Sequence, residues 1–185
     1  MSARTALGVL LTVGVMLPAA ASAQHQHGHP QHASPYRDQH GAALRGLSAQ
    51  EIGDLEAGRG MGLARAAELN GYPGPRHVLD AVRDGALQIS AEQRQAVQRV
   101  FEGMERDARR LGTRVIAEEQ ALETAFNRGG ITESELTERV RRVAAAHAEL
   151  REVHLRAHVA TRALLSEDQV KRYNELRGYA ATQRR

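Results

Sequence analysis

Two stretches of this chain carry nearly the same phrase: "LQISAEQRQAV" at residues 87–97 and "LLSEDQVKRY" at residues 164–173. Each reads as an aliphatic residue, a serine, an acidic residue two positions later, then a glutamine. In each the glutamine (Gln93, Gln169) stands three places after the serine (Ser90, Ser166). That spacing is the capping box: the hydroxyl accepts from the N3 amide and the N3 side chain returns to the N–H of the cap residue. Both phrases therefore start helices. Ser48 with Glu51 and Thr132 with Glu135 repeat the spacing, which makes four helix starts along one chain. Ordinary capping accounts for all four.

Between these starts the pattern is helical. A short helix is expected from Ser48 to Ala57, broken at "GRGMG", and another from Leu63 to Leu69. Pro75 is placed for the first turn of a third, through Arg83. A long helix should follow Ser90 to about Phe126, stopped by "NRGG". A second long one should follow Thr132 to about Leu164, and a last one Ser166 to about Arg177. In the first long segment Val97, Phe101, Met104, Ala108, Leu111, Val115, Leu122 and Ala125 recur at steps of three, four or seven. In the second, Val140, Val143, Ala146, Leu150, Val153, Ala157, Ala160 and Leu164 do the same. Each is one apolar stripe on a helix otherwise rich in Arg and Glu. Two such helices joined by a few residues must lie antiparallel. A lone pair of helices has little interior, so the short helices or a second copy of the chain must cover the stripes.

Composition narrows the class. The 185 residues include no cysteine, no tryptophan and only two phenylalanines, so the core is aliphatic and held neither by disulfides nor by thiolate-bound metal. Lys171 is the sole lysine, and the formal charge is +3. Acids are interspersed with the arginines and no basic block stands alone, which argues against nucleic acid. No phosphate loop, nucleophile–base pair or paired acids are legible, so the chain is not expected to be an enzyme.

Residues 1–23 read as a signal peptide, with Arg4 in the n-region, "ALGVLLTVGVML" as the h-region and Ala21-Ser22-Ala23 as the cleavage site, an uncleaved signal anchor being the alternative. Residues 24–46 read as a disordered histidine-rich tail, residues 47–179 as the helical domain and residues 180–185 as a disordered C-terminus. No second apolar run suggests stable membrane insertion. Of the nine histidines, five (His25, His27, His29, His32, His40) lie in the tail. The first four are candidate ligands for Zn²⁺, Ni²⁺, Co²⁺ or Cu²⁺ through imidazole nitrogen.

These features resemble the Spy/CpxP family of periplasmic proteins, whose signature is a pair of LTxxQ motifs. Ile89-Ser90-Ala91-Glu92-Gln93 and Leu165-Ser166-Glu167-Asp168-Gln169 occupy those places, with Ser for Thr in both and Ile for Leu in the first. The likeness spans about Leu87 to Tyr179, with a degenerate copy at Leu47; the segment "GMGLARAAELNGYPGPRHVL" goes beyond the family's minimal pattern. The resemblance implies an all-α fold, a long antiparallel helical hairpin with short flanking helices that forms a cradle-like antiparallel homodimer. It also implies an ATP-independent chaperone or envelope-stress protein binding unfolded periplasmic polypeptides, with a sensor kinase or an anti-sigma factor as a signalling partner. The alternative it implies is a heavy-metal binding or sensing protein, similar to the zinc-resistance-associated members.

Arg94, Arg99, Arg106, Arg109, Arg110 and Arg114 on the first long helix are the candidate client-binding residues. Guanidinium groups beside aliphatic ones offer charge and apolar contact without a shaped pocket. A solvated helix face is the plainer account of each. In "HAELREVHLRAH" (residues 147–158), His154 and His158 stand one turn apart, on a line bordering the apolar stripe. Folding about "RGGI" sets Glu105 opposite His154 and Glu102 opposite His158, a set able to hold Zn²⁺, Ni²⁺ or Co²⁺. Plain His–Glu hydrogen bonds between helices fit the same set.

Overall fold

A computed structural model describes residues 34–42 and 44–179. Two compact units divide the chain at Arg37, and all six α-helices belong to the second. They are α1 (Ala49–Glu56), α2 (Arg65–Glu68), α3 (Pro75–Arg83), α4 (Ala91–Arg128), α5 (Glu133–Leu164) and α6 (Glu167–Leu176). No strand occurs among the described residues, and no helix among them is long and apolar enough to cross a membrane. The signal segment, the ligands His25, His27, His29 and His32, and residues 180–185 lie outside the described residues.

The helix starts obey the local chemistry. Ser48, Ser90 and Ser166 each complete a capping box. Thr132 departs from it: its hydroxyl accepts from the Glu135 amide, but the Glu135 carboxylate is taken by Arg128 at 2.7 Å, so the return bond is missing. α4 stops at Gly129, whose φ of 74° suits only a residue without a Cβ.

The two long helices pack together. Gln93 bonds the Leu164 carbonyl, Arg114 meets Glu149 and Arg128 meets Glu135, so contacts descend α5 as they ascend α4. The apolar residues close into two clusters. One joins Leu55 of α1 to Ala108, Leu111 and Val115 of α4 and to Ala146 and Leu150 of α5. The other gathers Val78, Leu87, Val97, Leu165, Val170 and Tyr173 around the α4 start and α6. The short helices thus provide part of the cover that a bare helix pair lacks.

α1 reaches α4 through a missing side chain. A Cβ placed on Gly112 would stand 2.1 Å from the Leu55 carbonyl oxygen, so only glycine admits the α1 backbone there. Before α1, Leu44 is buried, and Arg45 donates to Glu123 of α4 through its amide at 2.6 Å and its Nε at 2.5 Å. Those bonds hold the Glu123 carboxyl below its ordinary range. Residues 44–46, assigned above to the disordered tail, are therefore packed on α4.

The stripe on α5 also needs correction. Val140 is 48% exposed and Ala160 is exposed, whereas His154, His158 and Thr161 are buried. The burial turns toward the histidine side because α2 and α3 lie against α5 there.

Candidate functional site

The side chains of the two repeated phrases meet. Gln93 Nε2 donates to Gln169 Oε1 at 2.9 Å, and Gln169 Nε2 donates to Gln93 Oε1 at 3.0 Å. Each oxygen also accepts the N–H of its own cap serine, and each NH₂ reaches a carbonyl of the other phrase, Leu164 or Gln88. Ser90, Gln93, Ser166 and Gln169 thus cap two helices and join them with one network.

The candidate hairpin metal ligands part company. Glu102 accepts from Gln98 at 2.9 Å and lines an open groove with Val82, Ile89, Arg94 and Arg99. Glu105, His154 and His158 line one cavity of about 520 Å³, but the Glu105 carboxylate is held by Arg109 at 3.2 Å. His158 instead donates from Nδ1 to the Tyr72 carbonyl at 2.7 Å, since a carbonyl can only accept, and lies 3.6 Å from Glu68 Oε2. His154 is 3% exposed, and its Nε2 is buried with no hydrogen-bond partner. Burial, helped by the neighbouring His158, pushes the His154 pKa down. His77, on α3, lines the same cavity and is pushed down by burial and by Arg177, against the pull of Glu68 and Asp80. Among the described residues, no group of three or more His, Cys, Asp or Glu is placed to hold a metal ion.

Glu68 is the polar centre that the sequence reading missed. It is buried, and it accepts from Tyr173 Oη at 2.6 Å, Arg177 Nε at 3.1 Å and the Gly74 amide at 3.2 Å. It thereby ties α2, the start of α3 and α6 together. Burial and the Glu68 carboxylate push the Tyr173 phenol pKa up. No sequence signal marks Glu68, because its partners lie far along the chain.

The candidate client-binding arginines are exposed. Arg109, Arg110 and Arg114 pair with Glu105, Asp107 and Glu149. Arg94, Arg99 and Arg106 make no ion pair among the described residues. Apolar side chains are exposed beyond the short helices: Phe126 by 54%, Leu136 by 36% and Val140 by 48%, with Leu136 and Val140 one turn apart on α5.

No family model matches the chain, and no curated protein or solved structure matches it significantly.

Proposed function

We propose that this chain is a periplasmic, ATP-independent chaperone or envelope-stress protein of Spy/CpxP type that holds unfolded polypeptide. The observation that carries the reading is the exposed apolar set Phe126, Leu136 and Val140 at the joined ends of α4 and α5, on helices lined with arginines. Large apolar side chains left in water beside charged groups hold extended chains through many weak contacts. The long helices form a hairpin in this reading, and a second copy completes a cradle-like homodimer. Light scattering at micromolar concentration should then report twice the monomer mass.

The test is suppression of aggregation of an unfolded client without nucleotide. Suppression should weaken in a Phe126→Ser, Leu136→Ser, Val140→Ser variant, in an Arg94→Glu, Arg99→Glu, Arg106→Glu variant, and with added salt. No suppression at several-fold molar excess of the protein ends the chaperone reading.

The second reading, binding of Zn²⁺, Ni²⁺, Co²⁺ or Cu²⁺, is favoured by one observation, the partnerless buried Nε2 of His154 near His158. It ranks second because Glu102 lies in another groove and Glu105 is held by Arg109. Titration with Zn²⁺ of the wild-type chain and a His154→Ala, His158→Ala variant tests it; equal uptake by both removes the hairpin site.

A further inference from the structure

The cavity of about 520 Å³ lies among residues 57–60, the start of α3 and the facing flanks of α4 and α5. That volume falls within the range of small-molecule sites, about 300–1,000 Å³. Its lining has three chemistries: Phe101 and Met104 supply apolar surface, Arg59, Arg76 and Arg109 supply guanidinium groups, and His77, His154 and His158 supply imidazoles.

Each guanidinium carries five N–H donors, and each spends few of them on the protein. Arg59 Nη1 meets Asp54 at 2.5 Å, Arg76 Nε meets Asp80 at 3.2 Å and Arg109 Nη2 meets Glu105 at 3.2 Å. All three side chains are more than half exposed, so donors remain for a ligand. Arg76 also lies over the Phe101 ring at 5.5 Å, which puts charge and apolar surface side by side. Glu105 is the sole carboxylate among the lining residues, and Arg109 occupies it.

We infer that this cavity binds a small amphiphilic carboxylate, its anionic end on donors of Arg76 and Arg109 and its apolar body against Phe101 and Met104. Guanidinium is matched in shape to a carboxylate and donates two parallel bonds to it. A divalent cation would find the imidazoles of His77, His154 and His158 there, but beside them three guanidinium groups and no free carboxylate to balance its charge. A bare inorganic anion would leave Phe101 and Met104 without a partner. The site differs from the exposed apolar end proposed for clients, and neither depends on the other.

The test is a ligand-observed NMR titration of the full chain with octanoate, 1-octanol, inorganic phosphate and Zn²⁺ in separate arms. Octanoate should saturate at one site and bind at least about ten-fold more tightly than octanol or phosphate, because charge-assisted bonds and apolar burial are both needed. Arg76→Gln with Arg109→Gln should lower octanoate affinity about ten-fold or more, while Arg83→Gln with Arg172→Gln should leave it unchanged. These arginines are surface residues, so the variants fold. Octanol binding as tightly as octanoate would leave only an apolar crevice, and phosphate matching octanoate would leave only a charged patch. Either result overturns the inference. So does Zn²⁺ saturating a site in which octanoate does not bind, or an octanoate affinity that the Arg76, Arg109 variant does not change.

Discussion

Gln93 and Gln169 hold each other in a reciprocal pair of amide hydrogen bonds, 2.9 and 3.0 Å long, that joins the start of α4 to the start of α6. A capping box needs only a carboxylate or carbonyl oxygen at this position, and Glu51 serves at the start of α1. The pair needs more. Each side chain must accept from its own cap serine while donating to the other phrase, which an amide does and a carboxylate cannot. This is the physical reason the phrase occurs twice with glutamine in both copies.

Gln93→Glu should keep its cap and lose the bonds to Leu164 and to Gln169 Oε1. The expected cost is about 1–3 kcal/mol, read as a lower denaturation midpoint. Ser90→Ala or Ser166→Ala removes the cap itself and should cost about 0.5–2 kcal/mol. An unchanged midpoint in the Gln93 variant would show that the pair adds nothing to capping.

Two glycines of α4 should respond in opposite directions to alanine. At Gly112 the new methyl collides with the Leu55 carbonyl. α1 must then shift from α4, at a cost of about 1–3 kcal/mol or more, and its amides should exchange faster. At Gly103 the nearest atom is the flexible end of Arg106 at 3.7 Å. Alanine there should stabilise the helix by about 0.4–1 kcal/mol. Equal effects at both positions would refute the close α1–α4 crossing.

Acidification should weaken the fold through His154 and His77. Both have folded pKa values below the ordinary 6.5, chiefly because burial disfavours the imidazolium. The unfolded chain therefore binds more protons once the pH drops below that value, and stability falls with it. Stability from these groups is present above pH 6.5 and is lost as pH falls through their lowered folded values. Chemical denaturation at a series of pH values should show a downward slope below 6.5 that is shallower in His154→Leu. An identical slope in that variant would assign the acid sensitivity elsewhere.

Tyr173→Phe should leave Glu68 without its shortest hydrogen bond while the phenyl ring keeps its place among Val78, Val97 and Val170. Arg177 and the Gly74 amide remain bound to the carboxylate. A loss of about 1–3 kcal/mol is expected, measured by urea unfolding. No loss would mean that the remaining donors, Arg177 Nε, the Gly74 amide and Tyr179 Oη, satisfy the carboxylate by themselves.

The helices were legible because helix starts and stops are local chemistry. Ser48, Ser90, Thr132 and Ser166 act on amides three residues away, Pro75 fixes its own φ, and Gly129 ends α4 within one turn. Periodicity likewise located Ala108, Leu111, Val115, Ala146 and Leu150 on the buried faces. The histidines were misplaced because an imidazole at the border of a stripe is buried or exposed according to what covers it. The cover over His154 and His158 comes from the "GMGLARAAELNGYPGPRHVL" segment, whose helices are short and carry no long apolar period.

Local propensity and spacing, acting over one or two helical turns, were thus enough to set about where each helix begins and ends and, on α4, which way its apolar face looks, whereas on α5 the cover from α2 and α3 turned the buried side toward His154 and His158. Packing between distant segments decided the rest: that Gln93 meets Gln169, that α1 crosses at Gly112, that Glu68 is buried under Tyr173 and Arg177, and that Glu102 and Glu105 face different hollows. Those contacts depend on the relative rotation and offset of whole helices. A shift of one residue along a helix turns each side chain by about 100°, so no spacing within a single helix encodes them.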